Sequence, residues 1–119
     1  MGREDKLLIV EDNPLIAAAI EKAGERLNMH ADVATDGWEA IEKLRNEEYA
    51  AIVIDTDVPC HSGYGVITYL RQENGDGFEN VVLMTSSDPE SVRHRTCENL
   101  RVIDRNETVD DIAAVLRRS

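Results

Sequence analysis

A chain of 119 residues is long enough for one domain with one core, and its 42% apolar content is that of a packed globular protein rather than a disordered one. The net charge of −11 argues against nucleic acid and anionic membrane surfaces as partners, and leaves room for carboxylates gathered around a divalent cation. Neither a signal-peptide core nor an apolar stretch of bilayer length occurs, so a cytoplasmic protein with Cys60 and Cys97 reduced is expected.

Lys6-Leu7-Leu8-Ile9-Val10 reads as a buried strand running into Glu11-Asp12. Asn13-Pro14 then supplies an N-cap and a proline at the first helical position. Ile16, Ile20, Ala23 and Leu27 fall on one face of the helix that follows. Next come a short strand from His30 to Ala34, a Thr35-Asp36-Gly37 turn, and a second helix marked by Trp38, Ile41 and Leu44 that ends near Asn46. Trp38 is expected to pack between helix and sheet.

Ala51-Ile52-Val53-Ile54 is a continuous apolar run that meets a carboxylate at Asp55. Charges are rarely buried unless paired, so Asp55 is expected where the strand ends and the chain emerges. Pro59 to Gly63 reads as a loop, Val66, Ile67 and Leu70 as a third helix, and Asn74-Gly75-Asp76-Gly77 as a break. Val81-Val82-Leu83-Met84 is a fourth strand ending in Thr85-Ser86-Ser87. A fourth helix is expected from Asp88-Pro89, with few apolar residues beyond Val92. Leu100-Arg101-Val102-Ile103 is a weak fifth strand. Thr108 and Asp111 then approximate a capping box for a last helix, with Val109, Ile112 and Leu116 inward and Arg117-Arg118 at the end that favours cations.

Strand and helix alternate five times. The expected fold is α/β, one domain over residues 1–119, with a five-stranded parallel sheet, helices on both faces and right-handed crossovers. Ligands of such sheets sit beyond the carboxyl ends of the strands. The chain puts Glu11 and Asp12 there after the first strand, Asp55 and Asp57 after the third, Thr85 and Ser86 after the fourth, and Arg105 after the fifth. Oxygen donors of this kind suit Mg²⁺, which takes one or two carboxylates together with phosphate oxygens. A carboxylate can also act as a nucleophile that forms an acyl phosphate, with a hydroxyl and a cation on the phosphoryl oxygens.

Three stretches carry a family resemblance: Leu8-Ile9-Val10-Glu11-Asp12-Asn13, Val53-Ile54-Asp55-Thr56-Asp57-Val58-Pro59 through Ser62-Gly63, and Val82-Leu83-Met84-Thr85-Ser86. In order and separation they resemble the receiver domain of bacterial two-component response regulators, over essentially the whole chain. The resemblance implies a flavodoxin-like sheet in order 2-1-3-4-5 and phosphorelay signalling rather than enzymatic turnover. Asp55 is then the phosphoacceptor for a sensor histidine kinase or phosphotransfer protein. Glu11, Asp12 and Asp55 hold Mg²⁺ with the backbone carbonyl of Asp57, and Thr85 is the switch hydroxyl. A downstream protein target is implied, and a homodimer is one assembly open to it. Two positions depart from the family. Arg105-Asn106 stands where it has lysine and proline, and Val102 falls near its strand-five aromatic, so no aromatic rotamer switch is expected.

Other readings stay open at this point. Ile54-Asp55-Thr56-Asp57 also resembles the Asp-x-Asp of haloacid-dehalogenase-type phosphatases, whose motif belongs on a first strand. A degenerate receiver working through phosphorylation-independent protein contacts is a second alternative. Cys60, His61, His94 and Cys97 are metal-ligating types, but adjacent Cys-His is poor spacing for zinc. Residue by residue, Asp55 could cap a loop, Glu11 and Asp12 could cap the first helix, Thr85 could be an ordinary strand residue, and Arg105 a solvated loop cation.

Overall fold

Five strands and four helices make up the described part of the computed structural model, which covers residues 6–58, 63–74, 80–86 and 101–117. In chain order they are β1 (Lys6–Val10), α1 (Pro14–Glu25), β2 (His30–Ala34), α2 (Gly37–Asn46), β3 (Ala51–Asp55), α3 (Gly63–Asn74), β4 (Val81–Thr85), β5 (Arg101–Asp104) and α4 (Val109–Arg117). The helix expected from Asp88-Pro89 lies outside the described residues, as do Cys60, His61, His94 and Cys97. Among the described residues no helix is long and apolar enough to cross a membrane.

The sheet is parallel throughout, in the order β2-β1-β3-β4-β5. Its central strands are apolar because both their faces are covered. Every residue of β3 and β4 is buried, whereas the edge strands β2 and β5 are only partly so. Side chains alternate between two cores. Leu8, Val10, Ile52, Ile54 and Leu83 meet Ile41 of α2 and Val66, Ile67 and Leu70 of α3 on one face. Leu7, Ile9, Val53, Val82 and Met84 meet Ile20 of α1 and Ile112 and Leu116 of α4 on the other.

Local chemistry sets the helix ends. The Asn13 side chain accepts from the Leu15 and Ile16 amides at 2.9 and 3.5 Å, with Pro14 at the first helical position. Asp36 accepts from the Glu39 amide at 2.8 Å, so α2 begins at Gly37 and the expected turn is shorter than read. Thr108 Oγ1 accepts from the Asp111 amide at 3.1 Å and donates to the Asp111 carboxylate at 2.9 Å.

Trp38 departs from expectation: it is 62% exposed rather than packed on the sheet. The buried face of α2 is made by Gly37, Ala40 and Ile41. At 3.6 residues per turn, Trp38 is rotated by about 100° from Gly37 and faces outward.

Candidate functional site

Four strand ends converge on one pocket. β1 delivers Glu11, whose amide donates to Ala34 O at 2.9 Å and so stays in register with β2. β3 delivers Asp55 as its last residue, beside Met84 of β4. The Thr56 amide donates to Met84 O at 2.9 Å, continuing the ladder one step past the strand. β4 delivers Thr85, and the Arg105 amide donates to Thr85 O at 2.9 Å, which pins Arg105 just past β5.

Asp55 does not emerge where its strand ends. It is 1% exposed, and Glu11 and Thr85 are buried with it. A buried carboxylate requires a partner, and Asp55 has two. Its Oδ1 accepts from the Asp57 amide at 2.8 Å, and its Oδ2 lies 3.2 Å from Arg105 Nη2. The second approach is an ion pair rather than an aligned hydrogen bond. Arg105 is therefore not a solvated loop cation. Its side chain is 22% exposed, and the guanidinium also stands 3.5 Å from Glu11 Oε2 and 3.8 Å from Asp57 Oδ2.

Glu11 is held by the Asn13 amide, which donates to its Oε2 at 3.0 Å. Burial, reinforced by the neighbouring Asp55 carboxyl, pushes Glu11 up to about 8, against the opposing pull of the Asn13 N–H and of Arg105. With both carboxyls ionised, Glu11 Oε1 and Asp55 Oδ2 are buried oxygens without a hydrogen-bond donor. A proton on Glu11, or a cation between the two, supplies what is missing. Hard oxygen donors left in this state fit a divalent cation such as Mg²⁺. Asp12 is exposed. Among the described residues no three carboxylate, imidazole or thiol groups already converge at ligating distance, and the acidic side chains surround Arg105 instead.

Three hydroxyls line the same strand ends. Thr56 Oγ1 donates to Thr85 Oγ1 at 3.4 Å, and Ser86 Oγ donates to Asp57 Oδ2 at 2.9 Å. Neither Thr56 nor the Ser86–Asp57 pairing follows from strand-end spacing. A signal for Thr56 exists only in its place between two aspartates after an apolar run. The Asp-x-Asp pair sits at the end of the third strand, not the first where the phosphatase resemblance wants it. Val102 is buried in the core. A cavity of about 420 Å³ opens elsewhere among the described residues, between Leu44, Tyr49, Tyr69 and Asn80, and is lined by none of the expected site residues.

Comparison with known proteins bears on the family and the fold. A family model described as the response regulator receiver domain matches residues 7–104. The chain is 33% identical over 75 residues to hybrid signal transduction histidine kinase G of Dictyostelium discoideum, covering 61% of this chain and 2% of that protein. It is 28% identical over 119 residues to the transcriptional activator protein IrlR of Burkholderia pseudomallei, covering 95% of this chain and 51% of that protein. The chain thus spans about half or less of the length of these relatives. Among solved structures, the receiver domain of sensor histidine kinase PA1611 from Pseudomonas aeruginosa PAO1 superposes with a TM-score of 0.79 at 21% identity, covering 96% of this chain and 95% of that one. That structure is described with a magnesium ion coordinated in its active site cleft.

Proposed function

This chain belongs to the response regulator receiver domain family, and we propose that it takes a phosphoryl group on Asp55 from a histidine kinase or phosphotransfer protein, in a Mg²⁺-dependent step. Receiver domains serve phosphorelay signalling and are not turnover enzymes. The observation that carries the proposal is Asp55 itself: a buried carboxylate at the carboxyl end of the central strand, with one oxygen tied to the Asp57 amide and the other lacking a hydrogen bond.

In this reading Asp55 Oδ2 attacks phosphorus. The new bond is Asp55 O–P, the bond that breaks joins phosphorus to the donor's imidazole nitrogen, and the electron pair leaves with that nitrogen. The hydrogen bond to Oδ1 orients the carboxylate for attack. Thr85 Oγ1 lies beside the site and would donate to a phosphoryl oxygen, while the planar fork of Arg105 would pair two such oxygens. Glu11, Asp12, Asp55 and the Asp57 carbonyl would hold Mg²⁺, which when bound offsets the charge of the phosphoryl oxygens. The change in charge beside Thr85 would alter the surface offered to a downstream protein.

Incubation with a small acyl phosphate and Mg²⁺ is expected to add the mass of one phosphoryl group, and chelation of Mg²⁺ or Asp55→Ala to abolish it. A mass gain that survives in Asp55→Ala would overturn the assignment. No gain at all in the wild-type chain would favour a receiver that signals through unphosphorylated protein contacts.

A further inference from the structure

Arg105 stands among the carboxylates rather than at their edge. One nitrogen, Nη2, lies 3.2 Å from Asp55 Oδ2 and 3.5 Å from Glu11 Oε2, and the other, Nη1, lies 3.8 Å from Asp57 Oδ2. Its backbone is fixed, so only the side chain can move. Its amide is bound to Thr85 O at 2.9 Å, and the turn after it is closed by Asp104, which accepts from the Asn106 amide at 2.8 Å and from the Glu107 amide at 3.2 Å. Ser86 Oγ holds Asp57 Oδ2 at 2.9 Å, which keeps the third carboxylate facing the same cation.

From this geometry we propose that the Arg105 guanidinium is a tethered cation that occupies the acidic pocket in place of the divalent ion and competes with it for Glu11 and Asp55. The inference rests on the reading of this pocket as a Mg²⁺ site. Mg²⁺ binds oxygen at about 2.0–2.1 Å in near-octahedral geometry. An ion ligated by Glu11 and Asp55 therefore draws on oxygens that already face a guanidinium nitrogen, and two positive charges at that spacing repel. For the ion to enter, the fork has to swing off Glu11. Arginine suits this role better than lysine would. Its fork reaches several carboxylates at once and stays charged at every accessible pH, whereas an ammonium is a compact point charge.

The arrangement also couples the ion to the phosphoryl group. Phosphoryl oxygens give the displaced guanidinium a new bidentate partner, so each of the two ligands eases the binding of the other. In the absence of phosphoryl donor, the pocket should hold Mg²⁺ more weakly than its carboxylates alone would allow.

The test is a calorimetric titration of magnesium chloride, at constant pH and ionic strength, into the wild-type chain, Arg105→Ala and Arg105→Lys. Arg105→Ala is expected to bind Mg²⁺ about tenfold tighter than wild type, the scale of removing one facing charge at short range. Arg105→Lys is expected to gain less, in the same direction. Equal or weaker binding by Arg105→Ala, with wild type binding normally, would overturn the competition and leave the proposed function standing. Should Arg105→Ala fail to fold, Arg105→Lys decides by the same sign. No binding by any of the three proteins would overturn the Mg²⁺ site and this inference with it.

Discussion

Glu11 is a carboxyl that burial and a neighbouring carboxyl move far from its ordinary range. Burial first, and the Asp55 carboxyl second, raise it from an ordinary 4.5 to about 8. A raised carboxyl favours the protonated fold. Its contribution is complete below the ordinary value and is lost as pH climbs through about 8. Stability of the metal-free chain should therefore fall between about pH 5 and pH 8 through this group, and Glu11→Gln should remove that part of the slope. Urea unfolding in a chelator across this range checks it; parallel profiles for the two proteins would sink the idea. At this scale the sequence named Glu11, Asp55, Thr85 and Arg105 correctly as strand-end neighbours. Their pairings were not legible, nor was the complete burial of Asp55. Burial of a charge depends on whether a counter-ion from elsewhere in the chain arrives beside it.

Elements show the same division between local and distant causes. The cap at Asn13, the Thr108–Asp111 pair and the apolar runs of β1, β3 and β4 all act within a few residues, and all were readable. Gly24 was not. It sits in the last turn of α1, and a Cβ there would lie 2.7 Å from Leu7 Cδ2. Leu7 is fully buried in β1, so its methyl cannot swing away. Gly24→Ala would gain about 0.5–1 kcal/mol of helix preference in open space. Overpacking costs about 1–3 kcal/mol, which outweighs it. The variant should be less stable by about 1 kcal/mol in chemical denaturation. A stabilised Gly24→Ala would show that helix and strand can separate at no cost. Trp38 makes the converse case: it is apolar and at a helix start, yet exposed, because its neighbours Ala40 and Ile41 take the packing face.

The chain as a whole is acidic, with a net charge of −11. A ligand that binds only the folded chain stabilises it, by about 2.7 kcal/mol at one hundred times its Kd. Mg²⁺ at millimolar levels should raise the melting temperature by several degrees, and Asp55→Ala should lose most of that rise. Sodium chloride at matched ionic strength is the control, since a chain of net charge −11 also gains from screening. A shift no larger than that of the sodium salt would count against a specific site.

The α/β alternation and the placing of Glu11, Asp55, Thr85 and Arg105 at strand ends were determined by the sequence alone, because periodicity and capping are short-range properties of the chain. The strand order 2-1-3-4-5 was implied by family resemblance and is what the sheet adopts. Tertiary structure alone decided that Arg105 enters the acidic pocket, that Ser86 holds Asp57, and that Trp38 faces outward. Glu11, Asp55 and Arg105 are distant in sequence, and what brings their charges within reach of one another is the register of β1, β3, β4 and β5. No local pattern encodes that register. It follows from packing both faces of the sheet at once, and in a buried pocket the resulting few ångströms settle which charge answers which.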